Sequence, residues 1–145
     1  MQTRQPVMTV EDLTAFMARE FPQVHDDFRV EEVGAMRVRV RLKVAERHLR
    51  PGGTVSGPSM FALADVAVYL ATLAMIGPKA LAVTTNIAMD FMRKPAAQTD
   101  LIAETRLLKL GRTLSVGDAL LFSEGLADPV ARASMTYAIP PDRAE

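Results

Sequence analysis

Pro58-Ser-Met-Phe-Ala-Leu-Ala-Asp65-Val-Ala-Val-Tyr-Leu-Ala-Thr-Leu-Ala-Met-Ile-Gly77 carries a single charge, Asp65. A helix this apolar on every side has no face for water, so it must be buried in protein or in lipid. The run is long enough to span a bilayer, but a carboxylate near its centre would be costly there. Ala62, Ala64, Ala67, Ala71 and Ala74 suit close backbone approach by a sheet or another helix. The expectation is a core helix, with no membrane partner. A lone buried carboxylate must be paired, protonated or used for chemistry.

Upstream of this helix, Thr9-Val-Glu-Asp12 has the form of a helix start, a hydroxyl followed three residues later by an acid. Leu13, Phe16, Met17 and Phe21 follow at helical spacing, and Pro22 ends the run. Phe28–Val33 and Met36–Val44 read as a hairpin about Gly34-Ala35. In its second arm Met36, Val38, Val40, Leu42 and Val44 alternate with Arg37, Arg39, Arg41 and Lys43. That pattern gives one dry and one wet face, and the basic row is expected to be solvated. Residues 45–57 form a loop dense in Pro and Gly. Ser56 or Gly57 is the expected cap, and Pro58 the first helical residue. Gly77-Pro78 stops the helix.

Downstream come four strand-like runs, at about 80–92, 101–110, 113–123 and 130–139. In the first, Leu81, Val83, Thr85, Ile87, Met89 and Phe91 share one parity. Short links favour antiparallel neighbours. The expected architecture is an α+β fold, with an antiparallel sheet wrapped around the apolar helix. A helix buried all round also needs cover on its far side, which points to a second subunit.

The 145 residues fit a single domain spanning 1–145, with a helical N-terminal segment (1–24) and a loose tail (140–145). The 17 basic and 17 acidic residues balance, which gives no electrostatic case for nucleic acid. There is no cysteine, hence no disulfide framework and no thiolate nucleophile or metal site. With no signal-peptide pattern at Met1-Gln-Thr-Arg-Gln-Pro6, a cytoplasmic location is expected.

The chemistry concentrates where Gly52-Gly-Thr-Val-Ser-Gly57 enters the helix. The first amides of a helix lack partners and carry partial positive charge, so they can hold a polarised carbonyl or an oxyanion. Pro58 has no N–H, which leaves the amides of Gly57 and Ser59. Asp65 lies about 12 Å further along the axis. Gly57 and Asp65 of one chain therefore do not readily reach one atom, whereas two antiparallel copies could bring one chain's Gly57 opposite the other's Asp65.

Gly53-Thr-Val-Ser-Gly-Pro-Ser-Met-Phe-Ala-Leu-Ala-Asp65 resembles the G-T-x-H-G-G-x-x-x-x-L-x-D motif of PaaI-type hotdog acyl-CoA thioesterases. The likeness continues through Ala82-Val-Thr-Thr-Asn86, Asp90-Phe-Met-Arg-Lys-Pro-Ala96, Leu110-Gly-Arg-Thr-Leu114 and Pro129-Val-Ala-Arg-Ala-Ser-Met-Thr-Tyr137, spanning about residues 45–139. The resemblance implies a hotdog fold, a six-stranded antiparallel sheet around the central helix. It implies a dimer joined through the first strand after the helix, often paired again into a tetramer, with active sites between subunits. It assigns the Gly57 N–H to the thioester carbonyl and the partner's Asp65 to the role of nucleophile or general base. Thr84 is the aligned hydroxyl for positioning water; strand alternation puts Thr85 on the parity of Leu81 and Ile87 instead, which leaves the choice of hydroxyl open. Ser56, Ser59, Arg50 and Arg112 complete the candidate substrate contacts; Arg112 and the Arg93-Lys94 pair read equally as cations for the phosphates of CoA and as solvated turn residues. No metal or redox cofactor is expected.

The chain departs from the motif at three places: Ser56 replaces the histidine, Pro58 the second glycine, and Arg50 an upstream asparagine. Ser56 has no triad base and no nucleophile elbow around it, so it is read as a cap. His25 and His48 lie outside any ligand spacing and are expected at the surface or in loops, with His48 near enough to the glycine loop to stay a minor candidate. Three readings follow. The first is an acyl-CoA thioesterase. The second is a hotdog protein that binds acyl-CoA without turnover. The third is a hotdog dehydratase, which ranks last because neither histidine sits in the motif.

Overall fold

The apolar run folds as one helix, α3 (Gly57–Ile76), and the rest of the chain is arranged to cover it. The computed structural model describes residues 4–141; the last four residues of the expected tail, and residues 1–3, lie outside them. Ahead of α3 come α1 (Val10–Glu20), α2 (Pro22–His25), β1 (Phe28–Gly34), β2 (Arg37–Leu42) and a single 3-10 turn, Glu46–His48. After it come β3 (Val83–Phe91), β4 (Leu101–Leu110), β5 (Leu114–Ser123) and β6 (Ala131–Ala138). The six strands form one sheet in the order β1-β2-β4-β5-β6-β3, and every pairing is antiparallel. This is the α+β hotdog arrangement the sequence predicts.

Local chemistry sets the ends of α3. Ser56 is extended, and its Oγ accepts the Ser59 N–H at 3.3 Å, making it the N-cap. Gly57 is therefore the first helical residue and Pro58 the second, one place later than expected. Gly77 stops the helix at φ +97°, a conformation open to glycine. By length and hydropathy the helix passes as a membrane span, yet 72% of its apolar window is buried inside the fold. Val38, Val40 and Leu42 of β2, Leu101 and Ala103 of β4, Leu121 of β5 and Met135 of β6 close over Leu63, Leu70 and Leu73 of the helix. Each large side chain so buried contributes about 1.5–3 kcal/mol. Where β5 passes Val68, the strand carries Gly117: a Cβ there would sit 3.3 Å from Val68 Cγ1 and 3.1 Å from Leu107 Cδ2.

The cover on the far side comes in part from the same chain, where the sequence reading looked to a second subunit. Thr9 caps α1 in a reciprocal capping box with Asp12, and Leu13, Phe16 and Met17 pack inward. The N–H groups of Val7 and Met8 both donate to the Ala74 carbonyl. Phe16 and Phe21 flank the Tyr69 ring. This closes the second half of α3. The first half is not buried all round: Pro58, Phe61, Ala62 and Asp65, spaced three to four residues apart, keep an open stripe.

The basic row on β2 is not simply solvated. Arg41 reaches Glu31 at 2.6 Å, Glu124 at 2.7 Å and Asp100 at 2.9 Å, and Arg39 joins Glu31 and Glu104. The hydrogen bonds that Arg41 donates to Glu124 and Glu31 push its pKa further up, so it stays charged. Burial would raise the Glu31 pKa, but the bonds from Arg41 and Arg39 outweigh it and hold the carboxyl below the usual glutamate range. The row ties β1, β2 and β4 to the loop after β5.

Candidate active site

Asp65 sits on the open stripe of α3, half-buried at the mouth of a cleft of about 400 Å³. Phe21, Tyr69, Ala80, Ala82, Thr84 and Tyr137 line that cleft with it. Two hydroxyls hold the carboxylate: Thr84 Oγ1 donates to Asp65 Oδ1 at 2.5 Å, and Tyr137 OH lies 2.5 Å from the same atom. The phenol also lies 2.8 Å from the Asp65 backbone carbonyl, but it has one proton to give. Burial first, then the neighbouring Asp65 carboxylate, pushes the Tyr137 pKa far up, so the phenol stays a donor. Among the described residues no hydrogen bond reaches Oδ2. One oxygen is clamped and the other is free to take a proton or attack a carbon.

Thr84 and Tyr137 converge because they are direct partners across β3 and β6. The register then slips: Thr84 faces Tyr137 and Asn86 faces Thr136, so Thr85 is bulged out of the ladder. Thr85 is exposed and donates to the Thr136 carbonyl at 3.3 Å. Of the two hydroxyls that the sequence leaves open, the structure places Thr84 beside Asp65, and this bulge turns Thr85 away. It lets Thr84 and Ile87, of opposite parity, both turn inward. The strand is also shorter than the expected 80–92, since Ala82 N–H closes a turn onto the Lys79 carbonyl. Tyr137 was not among the sequence candidates. The signal was present, because a phenol on the inward face of β6 needs a polar partner.

Gly57 does not line the cleft that holds Asp65. An added Cβ at Gly57 would lie 3.6 Å from the Phe91 ring, and Phe91 walls a second cleft of about 310 Å³. Arg50, Thr54, Val55, Met60, Met92, Arg93 and Lys94 also line it. No acid faces this cleft, and among the described residues Arg50 and Lys94 make no ion pair, whereas Arg19, Arg29, Arg37, Arg39, Arg41, Arg47 and Arg132 are all paired. Its chemistry suits an anion at the end of an apolar arm. Ser56 and Ser59 bond each other at the helix cap. Arg112 is exposed in the turn between β4 and β5 and lines neither cleft. The chain thus brings Asp65, Thr84 and Tyr137 together. It places Gly57, Arg50 and the serines in a separate group near the other end of the same stripe.

His48 is not at the surface. It is buried, with Nδ1 accepting the Ala45 N–H at 2.8 Å. No group of three or more His, Cys, Asp or Glu residues is placed to hold a metal among the described residues.

A hotdog sheet, a capped glycine entry and a carboxylate two turns into the central helix define a PaaI-type hotdog protein. Residues 52–129 match the thioesterase superfamily model. A crystal structure of a proposed thioesterase from Silicibacter sp. TM1040 is 57% identical over 97% of both chains, with a TM-score of 0.90. The phenylacetic acid degradation protein PaaI of Thermus thermophilus is 28% identical over 82% of this chain and 99% of its own, with a TM-score of 0.70. A hypothetical thioesterase from Streptococcus pneumoniae, solved with coenzyme A, shares the fold at 20% identity over 91% and 99% of the two chains, with a TM-score of 0.74. Among curated proteins no significant match is found. The chain belongs to the thioesterase superfamily, whose chemistry is thioester hydrolysis.

Proposed function

We propose that this protein hydrolyses acyl-CoA thioesters in the cytoplasm, as an oligomer built on a dimer. The observation that carries the reading is the Asp65 carboxylate, with Oδ1 held by two hydroxyls at 2.5 Å and Oδ2 open to a cleft. As general base, Oδ2 takes a proton from water while the hydroxide adds to the thioester carbon. The oxyanion that forms is held by the Gly57 N–H of the other subunit, at the positive end of α3. The C–S bond then breaks, and the thiolate recovers the proton as the CoA thiol. Direct attack by Oδ2, followed by hydrolysis of the anhydride, gives the same products. Coenzyme A bound to the Streptococcus structure and the unpaired Arg50 and Lys94 beside Gly57 support the CoA arm of the proposal.

The dimer is supported by the edge position of β3. One side of this strand is unpaired, and Leu81, Val83, Phe91 and Met92 around it are exposed. Pairing with its twin would satisfy the edge and cover this surface together with Phe61.

The second reading, an acyl-CoA binder without turnover, is favoured by one observation: Ser56 stands where the motif has histidine, and neither histidine of the chain lines either cleft. Thiol release from a panel of acyl-CoAs, beside calorimetric binding, separates the two. Asp65→Asn keeps an Oδ1 that accepts both hydroxyls, so the fold and acyl-CoA binding should persist while turnover is lost. Wild-type rates in Asp65→Asn would refute the mechanism, and binding without any thiol release by the wild type would establish the second reading.

A further inference from the structure

His48 is a buried titratable group that the chemistry at Asp65 leaves unused; it is 6% exposed. It ends the 3-10 turn Glu46–His48. Because Nδ1 accepts the Ala45 N–H, the proton of the neutral ring belongs on Nε2. That atom is aimed at Asp27 Oδ2, 3.4 Å away, and makes no hydrogen bond among the described residues. The backbone of His48 does further work. Its carbonyl accepts the Ser56 N–H at 2.8 Å, and the next residue, Leu49, bridges Val55. Ser56 is the cap of α3, and Gly57 follows it. A continuous chain of contacts therefore runs from Asp27, just ahead of β1, through His48 and Ser56 to the amide that would meet the thioester oxygen.

We infer that His48 is a positioning residue, whose Nδ1 fastens the glycine loop so that the Gly57 amide stays on the reacting oxygen. The inference rests on the acyl-CoA hydrolysis proposed above. It places in the loop's anchor a histidine that the motif would have placed at position 56. Nδ1 does this work as an acceptor, so a side chain that still offers an acceptor to the Ala45 N–H keeps the anchor, and one that offers none releases it.

The test uses the full chain and two substitutions. His48→Asn places an amide oxygen where Nδ1 stands, keeps the Ala45 bond and cannot titrate. His48→Leu fills the space and offers no acceptor. In His48→Leu kcat should fall about 10- to 100-fold with KM nearly unchanged, as expected when a donor to the transition state is displaced. His48→Asn should restore most of that loss. Hydrogen exchange at the Ser56 amide reads the anchor without turnover: protected in the wild type and His48→Asn, open in His48→Leu. Wild-type kcat in His48→Leu, or a kcat in His48→Asn as low as in His48→Leu, overturns the inference. Should the wild type release no thiol from any acyl-CoA, the hydrolysis reading falls. Ser56 exchange then decides the anchor by itself, and equal protection in all three proteins refutes it.

Discussion

Removing one oxygen atom tests the clamp on Asp65. In Tyr137→Phe the ring stays packed against Tyr69, with which it now makes a tilted contact at 5.9 Å between centroids. What disappears is the hydroxyl 2.5 Å from Asp65 Oδ1. A hydrogen bond to a charged group is worth about 1.5–3 kcal/mol. If that energy fixes the carboxylate in its reacting position, kcat falls about 10- to 100-fold, at 1.36 kcal/mol per decade. The Thr84 bond remains in this variant, so the loss should be partial. Thr84→Val should cost a similar factor, and the double variant less than the product of the two, because both hydroxyls serve one oxygen. Thermal stability should move little in Tyr137→Phe. The assay is the rate of thiol release under saturating acyl-CoA, with circular dichroism to confirm the fold. Wild-type kcat in Tyr137→Phe would mean that the phenol is a structural tie to the Asp65 backbone carbonyl, and that the carboxylate needs no clamp.

Three further outcomes are expected. Gly117→Ala should lower stability by about 1–3 kcal/mol, since its Cβ would meet Leu107, Val68 and the Arg106 carbonyl at 3.1–3.3 Å; a Tm within a degree of the wild type would contradict the close approach of β5 to α3. Arg41→Met should cost about 2–3 kcal/mol by leaving Asp100 without its ion pair and Glu31 with only Arg39 and Arg29, below the full value for a buried pair because Glu124 is half exposed. The folded Glu31 pKa is depressed, so its contribution is fully present above the ordinary glutamate value of 4.5 and is lost as pH falls through the lower folded value; urea midpoints measured down to acid pH should fall less steeply in Arg41→Met than in the wild type. At the helix entry, Ser56→His should lower kcat/KM by crowding a loop that differs from the motif at Arg50, Ser56 and Pro58 together, and a gain in Ser56→His with Ser56→Ala unchanged would show instead that the site simply lacks its histidine.

The long helix and the antiparallel order of the strands were legible because both leave periodic marks. An all-apolar run of twenty residues has few places to go, and β2 alternates without a break. Gly57 and Asp65 were legible by their chemistry, a free amide at a helix start and a lone carboxylate in an apolar run. What was not legible depends on register and on long-range packing. The bulge between Thr84 and Asn86 reverses strand parity at the one position where parity and the motif point to different hydroxyls. Nothing local distinguishes Thr84 from Thr85; the choice is made by β6, fifty residues away. The Arg39 and Arg41 network has the same origin. Its acids come from β1, β4 and the loops before β4 and after β5, so the row reads as solvated until the sheet order is known. The far-side cover of α3 was assigned to a partner because the amphipathic pattern of α1 does not say what it covers.

The division of the site between two groups on one helix has a consequence that two inactive proteins can reveal. Gly57 and Asp65 stand about 12 Å apart along α3; Asp65 lines one cleft, and Gly57 lies beside Phe91, which walls the other. If a two-fold dimer pairs the Gly57 of one chain with the Asp65 of the other, each site takes one group from each chain. Gly57→Leu, whose side chain would press on Phe91 and block the amide, is then inactive, and so is Asp65→Asn. Refolded together from equal amounts, half the dimers carry one chain of each kind. In such a dimer one site combines the intact Gly57 of the Asp65→Asn chain with the intact Asp65 of the Gly57→Leu chain. The other site has lost both. Activity should therefore return to about a quarter of the wild-type value, as two-fold symmetry dictates. A site formed within one chain gives no recovery at all, because every chain in the mixture carries a lesion. Mixing without refolding controls for exchange, and sedimentation of each variant confirms that it still assembles. No recovery in a mixture shown to contain mixed dimers would refute the shared site, and with it the role given to the Gly57 amide opposite Asp65.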